Sequence, residues 1–168
     1  MIAAQRILIL TGIALIACTM AFGVGYAIFD EHQTLVGMGM HLATGFMEAS
    51  GGNMEAAYAA LDSYGSLSQE YRNEVHSHGH WGMLSLILIV LGLVFKRLSL
   101  AEGQGVLLAW VLALGAALFP LGVLLQIGPA AGLGKVLSML GSSGMILGLL
   151  FAAYRLLRPS NQGASELV

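Results

Sequence analysis

The chain has 168 residues, of which 57% are hydrophobic and only 10% are charged, and its mean hydropathy is +0.81. Soluble domains carry about 25% charged residues, so this composition excludes an ordinary soluble domain and indicates an integral membrane protein. The formal net charge of -2 does not bear on nucleic-acid binding, but the sequence has no basic run that would bind nucleic acid, so no nucleic-acid partner is expected. A single cysteine, Cys18, excludes an internal disulfide and a metal site built on paired cysteines.

Four stretches can cross a bilayer as helices, which takes about 20 residues each. In the second, the apolar run from Trp81 to Phe95 has only 15 residues, so the histidines that precede it have to form its outer end, near the headgroup boundary. The predicted spans are about 6–29, 76–96, 104–127 and 130–156. The first contains Leu15-Ile16-Ala17-Cys18, which is similar to a lipoprotein cleavage box, but its apolar residues continue well beyond the cysteine. We therefore predict that it is a retained transmembrane helix. The sequence predicts an all-α integral membrane protein, a four-transmembrane-helix bundle in a single domain over 1–158, followed by a polar tail at 159–168.

Basic residues lie mostly on one side of the predicted spans. Five fall on that side and two on the other: Arg6, Lys96, Arg97, Arg155 and Arg158 against Arg72 and Lys135. Because cytoplasmic loops of membrane proteins carry the excess of lysine and arginine, both termini and the tail are predicted to be cytoplasmic. The acidic segment 30–75 is then extracytoplasmic, and the chain is predicted to be a multi-pass protein of the inner, cytoplasmic membrane.

The segment 30–75, between the first two spans, is patterned as a small helical cap rather than as a loop. Thr34–Ala49 is predicted to form an apolar helix, which a Ser-Gly-Gly turn ends. A second short helix is predicted to be capped by Asn53 and to end near Gly65. Ser66-Leu67-Ser68-Gln69 matches a capping box and predicts the start of a helix that can run unbroken into the second span. We expect this cap to fold over the outer mouth of the bundle.

Three of the five histidines lie at alternate positions where the second span begins: His76, His78 and His80. Ionisable side chains at membrane depth are costly, and they are candidates for function. On a continuous helix His76 and His80 share a face, four residues apart, as paired imidazole ligands of a metal do, while His78 points nearly opposite. If the helix instead begins after Gly79, the run is extended and all three rings can face one way.

Further candidate ligands lie in the cap and beside the histidine cluster. His41 lies in the predicted cap, and Glu48 and Glu74 are the carboxylates best placed to bind a metal or to orient a ligating ring. Met38 and Met40 offer thioether sulfur, which together with imidazole forms the ligand set of copper. The alternative interpretation of these methionines is that they fill irregular apolar gaps.

The first two spans resemble a family of short four-helix bacterial membrane proteins related to subunit I of haem–copper oxidases and to nitric oxide reductases. The resemblance rests on Met20-Ala21-Phe22-Gly23-Val24-Gly25 in the first span and on the His-x-His motif that opens the second. In the large oxidases, a histidine at the outer end of the second helix ligates a low-spin haem. The resemblance therefore implies a haem b bound by His78 or His76, with His80 as a third option. It also implies that a second axial ligand comes from the cap, a methionine or another subunit, because spans three and four contain no histidine.

These features support three functional hypotheses. The leading one is a membrane redox or metal-handling protein that holds a haem b or a transition metal (copper, iron or zinc) at the outer face through the four histidines named above. The second is a cofactor-free accessory subunit of a larger membrane enzyme, favoured by the small-residue spacing of Gly141, Gly144 and Gly148. The third is a copper-binding or copper-delivery protein that uses the cap methionines with His41. In each case the chain is expected in the lipid bilayer, as a homo-oligomer or as a subunit of a membrane complex.

Overall fold

The computed structural model describes residues 1–158, which form five α-helices joined by short turns. The helices are α1 Ala3–Phe29, α2 Glu31–Ser50, α3 Met54–Val94, α4 Glu102–Leu124 and α5 Ala131–Leu157, with a short 3-10 segment, Phe95–Leu98, after α3. In this part of the chain four helices are long and apolar enough to cross a membrane, namely α1, α3 with its 3-10 segment, α4 and α5. The predicted all-α fold with four transmembrane helices is confirmed. The predicted tail at 159–168 lies outside the described residues.

The second span is the end of a much longer helix than the sequence predicts. α3 has 41 residues and is about 60 Å long, so roughly half of it projects beyond a hydrocarbon core about 30 Å thick. The predicted helix end near Gly65 and the predicted helix start at Ser66 are both wrong, because the helix runs straight through them. Gln69 does not close a capping box; its Nε2 donates a hydrogen bond to Oδ1 of Asn73, 2.8 Å away and one turn further along the same helix.

Because the helix continues through Gly65, replacing this glycine with alanine should stabilise the protein by about 0.5–1 kcal/mol. Gly65 is exposed, and an added methyl group meets no described atom within 4 Å. Thermal unfolding in detergent measures the effect. Gly52→Ala is the matched control and should destabilise, because Gly52 has φ +81. A lower unfolding midpoint for Gly65→Ala would show that the helix is interrupted there.

The segment between the first two spans is a helical hairpin. Asp30 alone separates α1 from α2, with φ -120 and ψ -40. The hairpin turns at Gly51-Gly52, and Oδ1 of Asn53 accepts a hydrogen bond from the backbone N–H of Ala56, so the predicted cap at Asn53 is confirmed. Within the described chain α2 packs on α3 and touches α1, and it has no contact with α4 or α5. The hairpin therefore projects from the bundle instead of folding over its mouth, since α2 is held by α3 alone along most of its length.

The bundle is built on α1, α3 and α4. α1 and α3 are antiparallel and come close at glycines, and α4 packs against both. The core they enclose is aliphatic and aromatic, with Leu8, Leu88, Phe95, Ala109 and Leu112 among its most buried residues. This burial of apolar side chains, together with small residues at the helix contacts, holds the helices in a fixed register.

α5 packs on the outside of α4 and touches the 3-10 segment, and it has no contact with α1 or α3 in the described chain. Two glycines of the predicted repeat form this contact: Gly141 lies against the backbone of Phe119, and Gly148 lies against Leu112. At the other end of α5, Arg155 donates hydrogen bonds to the carbonyl oxygens of Leu98 and Ser99, at 3.2 and 2.7 Å. Packing against α5 thus fixes the position of Phe119, a residue that lies beside the candidate site described below.

Candidate functional site

The unbroken course of α3 decides how the three clustered histidines are arranged. His76 and His80 lie one helical turn apart on one side of α3, with ring centroids 6.3 Å apart. His78 lies on the other side, where its ring faces α1. Of the two arrangements open to the sequence, the structure has the continuous helix, so the three rings do not face one way.

The His76–His80 pair lies at the corner where α3 leaves the bundle and α4 ends. The His80 ring packs on Phe119 of α4, with ring centroids 4.8 Å apart. Beside it, Nε1 of Trp81 donates a hydrogen bond to the backbone carbonyl oxygen of Ala117, 3.4 Å away. His80 is half-buried by these contacts, whereas His76 is exposed. The deeper histidine is therefore fixed by α4, and the outer one is free to rotate.

The spacing of this pair can be compared with that of two imidazoles bound to one metal ion. A ligating nitrogen lies about 2.0–2.1 Å from Zn²⁺ or a similar ion, which requires the two ring centroids to be about 5–6 Å apart. The observed 6.3 Å comes into this range with a small rotation of the exposed His76 ring. Over residues 1–158, no group of three or more His, Cys, Asp or Glu side chains is arranged to hold a metal ion. Within this part of the chain the pair therefore offers two imidazoles and no third ligand.

His78 is held in the interface between α1 and α3. Its ring lies on Gly23, where an added methyl group would be 2.5 Å from the ring carbon Cε1. The ring of Phe22 stacks beside it, with a centroid separation of 6.3 Å. Nδ1 of His78 is buried and has no hydrogen-bond partner within the described chain. A buried imidazole nitrogen without a partner is costly, so this position is unusual.

The contact between His78 and Gly23 bears on the haem that the resemblance implies. A porphyrin bound to His78 would have to enter between its ring and α1, where the two helices already touch. The residues around His78 therefore do not fit a haem. His76 and His80 face the open side of α3, but two histidines one turn apart on one helix lie on the same side of a porphyrin plane. They cannot provide both axial ligands of one haem.

Glu74 and the His76–His80 pair lie on different sides of α3. Glu74 is one turn before His78, and its half-buried carboxyl faces the Tyr26 hydroxyl of α1. The Glu74 carboxyl therefore belongs to the α1–α3 interface, on the same side of α3 as His78. It is not placed to complete a metal site with the other two histidines.

The candidate ligands on α2 lie far from the histidine pair. Gly37 contacts Leu67 and Gly45 contacts Leu61, which sets the register of the hairpin. His41 lies midway between the two glycines, so it is about 18 Å from the pair along α3. The structure therefore does not bring His41 together with the clustered histidines.

The remaining α2 candidates are also separate from the pair. Glu48 lies at the hairpin tip, where its carboxylate accepts a hydrogen bond from Nδ2 of Asn53, 3.0 Å away. Met40 is 65% exposed on the outer face of α2, whereas Met38 is partly buried. Thioether ligation at the His76–His80 pair is therefore not available from these two methionines within one copy of the described chain.

Several side chains at the site were not found from the sequence. Phe119 supports His80, but its role depends on how α4 packs on α3, and no local pattern encodes that packing. Thr19 and Ser77 are both buried. Thr19 lies in an otherwise apolar span, and its polarity there was the signal that could have identified it. Ser77 lies among the clustered histidines, where no such contrast marks it.

No family model, curated protein or solved structure matches the chain. A function therefore has to be inferred from the geometry of its own side chains.

Replacing Gly23 with alanine should displace the His78 ring, because the new methyl group would overlap Cε1. The ring can rotate away, so we expect a loss of only about 1 kcal/mol in stability together with a changed ring environment. NMR of the protein labelled with ¹⁵N-histidine should show a shifted His78 signal and an unchanged His32 signal. The control is Gly25→Ala, whose methyl group meets no described atom within 4 Å and should leave His78 unchanged. An unshifted His78 signal in Gly23→Ala would rule out the contact.

Proposed function

We propose that the chain is a membrane redox or metal-handling protein that binds a copper, iron or zinc ion between His76 and His80. The observation that carries this proposal is the pair of imidazoles one turn apart at an open corner of the protein. Imidazole is a common ligand of all three metals, and two histidines at this spacing are a recurrent way for one helix to bind an ion. The packing of His80 on Phe119 favours binding, because one ligand is already held in place.

Two imidazoles leave further positions on the metal open. Water, a small ligand or a side chain of another subunit completes the coordination, which agrees with the expected homo-oligomer or membrane complex. The nitrogen that binds must be unprotonated, so protons compete with the metal and acid should release it. Because Glu74 lies on the other side of α3, no carboxylate of the α1–α3 interface takes part.

We further propose that the histidine pair faces the outside of the inner membrane. Basic residues gather at the end of the bundle opposite the hairpin, with Arg6 at the start of α1, Lys96 in the 3-10 segment after α3 and Arg155 in the last turn of α5. Membrane proteins keep such residues in the cytoplasm. The hairpin and the histidine pair are then extracytoplasmic, and a metal or an electron would arrive from that side.

The two alternative hypotheses find less support in the contacts. Gly141 and Gly148, whose spacing favours an accessory subunit, pack against α4 within the chain and are not free for a partner. The copper-delivery hypothesis relies on His41 together with methionines of α2. One of these, Met40, is 65% exposed on the surface of α2. Neither hypothesis accounts for the His76–His80 pair.

Histidine NMR during a metal titration tests the proposed function. On addition of Zn²⁺ to the detergent-solubilised protein, the ring signals of His76 and His80 should shift together and saturate at the same ratio. The signals of His32 and His41, on the hairpin, serve as internal controls and should not move at that ratio. Shifts confined to His32, His41 or His78 would overturn the assignment of the site.

A further inference from the structure

The helix α2 carries a stripe of exposed residues on the face turned away from α3. On the α3 side, Gly37 meets Leu67 and Gly45 meets Leu61, so this side of the helix is covered. On the opposite side, six exposed residues follow one another at intervals of three and four, and together they form the α2 stripe: Gln33, Val36, Met40, Ala43, Met47 and Ser50. The middle four of the six are apolar, so α2 presents an apolar surface on the side that no helix of the described chain covers.

The α2 stripe lies outside the hydrocarbon core. α2 is not one of the four helices of the described chain that are long and apolar enough to cross a membrane. It follows the half of α3 that projects from the bundle, and this half carries the acidic residues Glu55, Asp62 and Glu70. Because α2 extends about 30 Å along α3 and away from the membrane, lipid tails do not cover the stripe. An apolar surface in water of this kind marks a site of interaction with another protein.

The spacing of the α2 stripe is that of the seam between two paired helices. In a coiled coil the residues at positions a and d of each heptad face the partner, alternately three and four residues apart. On α2 the a positions are Gln33, Met40 and Met47, and the d positions are Val36, Ala43 and Ser50. A polar residue therefore stands at each end of an apolar centre. Polar residues in a seam favour one register, because each is best placed opposite another polar group.

The charges of α2 favour a partner with the same surface. The e and g positions beside the stripe hold no acidic residue, lysine or arginine: His32, Gly37, Gly39, Thr44 and Phe46. The two carboxylates of α2 lie off the stripe, and that of Glu48 accepts a hydrogen bond from Asn53. Coiled coils that select a different partner do so with charges at e and g. Without such charges nothing along the stripe repels a second copy of itself.

The membrane places two copies of the stripe at the same height. Both chains are anchored in one bilayer in the same orientation, so their hairpins are parallel and each stripe residue meets its own counterpart. This is an isologous contact with its two-fold axis along the membrane normal. Anchoring also removes part of the rotational freedom that association would otherwise cost. A second copy therefore fits the stripe in spacing, in charge and in register.

We infer that the α2 stripe is a dimer interface, in which α2 of a second copy of this chain pairs with it in parallel and in register. The four apolar residues pack in the centre of the seam, and the two Gln33 side chains meet at its membrane-proximal end. The two hairpins then form one helical stalk outside the bilayer. The inference does not rest on the metal proposal, because His76 and His80 lie on α3 and take no part in the stripe.

Cysteine cross-linking of the full chain in lipid bilayers tests the parallel, in-register pairing. In a Cys18→Ala background, single cysteines are placed along the stripe: Val36→Cys, Met40→Cys, Ala43→Cys and Met47→Cys. Each should form a disulfide-linked dimer on mild oxidation, because a and d residues of paired helices come within disulfide distance of their counterparts. Leu35→Cys and Ala49→Cys are the controls, exposed on α2 but off the stripe, and they should stay monomeric.

Two results of this experiment would overturn the dimer interface. One is cross-linking that is absent on the stripe, or that is equally strong at the control positions. The other comes from the same variants in the membranes of the cells that make them. A stripe cysteine that links there to a different protein, and not to a second copy, would show that the stripe has another partner.

Val36→Glu tests whether the stripe holds the dimer together. Val36 is 45% exposed in the single chain and its neighbour Leu35, off the stripe, is 46% exposed, so Leu35→Glu is a closely matched control. Only Val36→Glu sets two carboxylates against each other in the seam, and it should raise the dissociation constant of the dimer about tenfold or more. Energy transfer between labelled copies in lipid vesicles, over a series of protein-to-lipid ratios, measures this constant. Equal constants for the two variants, or no dimer of the unchanged protein, would overturn the inference.

Discussion

Replacing both His76 and His80 with alanine should lower the affinity for copper, iron or zinc by about 100-fold or more. In the proposed site this pair provides both ligands from the described chain, so the double variant would keep neither of them. Each single variant should also bind far more weakly, because one imidazole does not chelate. Competitive titration against a chelator of known affinity measures the change.

The matched control is the double variant His32→Ala with His41→Ala. These two histidines lie on α2, away from the pair, so the control removes the same number of imidazoles without touching the proposed site. We expect it to bind metal as tightly as the unchanged protein. Equal losses in the two double variants would mean that binding is unspecific, and the proposed function would then be wrong.

Gly141→Ala should destabilise the protein by about 2–3 kcal/mol and also weaken metal binding. A methyl group at Gly141 would lie 2.5 Å from the backbone nitrogen of Phe119 and 2.8 Å from its Cα, so α4 and α5 have to move apart. Backbone atoms cannot rotate out of the way as a side chain can. Because the Phe119 ring packs on His80, moving α4 away from α5 should also shift His80 and so disturb the proposed metal site.

Gly144→Ala is the control on the same helix and at the same kind of spacing. Its methyl group would meet Val111 at 3.7 Å, which is ordinary van der Waals contact, so we expect almost no change in stability or affinity. Denaturant or thermal unfolding in detergent, followed by metal titration of the folded variants, measures both effects. If Gly141→Ala and Gly144→Ala behave alike, α5 does not pack on α4 through Gly141.

The four spans could be predicted from the sequence because a bilayer imposes one simple requirement, about 20 apolar residues in a helix. The hairpin turn was equally readable, since Gly52 at positive φ and Asn53 as a helix cap are local signals. The helix boundaries inside the hairpin could not be predicted from such local signals. Gly65 and the capping-box pattern at Ser66 are ordinary helix-stop and helix-start signals, but the packing of α2 along α3 outweighs them.

The candidate site was predictable in its residues but not in its arrangement. Three histidines at alternate positions identify the place, yet which of them share a side depends on whether α3 is continuous there. The helix is continuous because α2 packs along α3 over the length of the hairpin, which is a tertiary effect and not a local one. The separation of His41 and Glu48 from the pair has the same origin, because the hairpin places the α2 residues along α3 instead of over the bundle. Contacts between helices, such as His78 on Gly23 or His80 on Phe119, depend on a register that no local pattern specifies.

The most direct test of the metal site is elemental analysis of the purified protein, with an absorption spectrum of the same sample before and after reduction. The protein should be purified without chelators from cells supplied with copper, iron and zinc. We expect about one ion per chain, or one per two chains if a second copy completes the coordination, and no Soret band. A well-folded sample that contains no stoichiometric metal, or one that shows a Soret band which sharpens on reduction, would contradict a metal ion bound between His76 and His80.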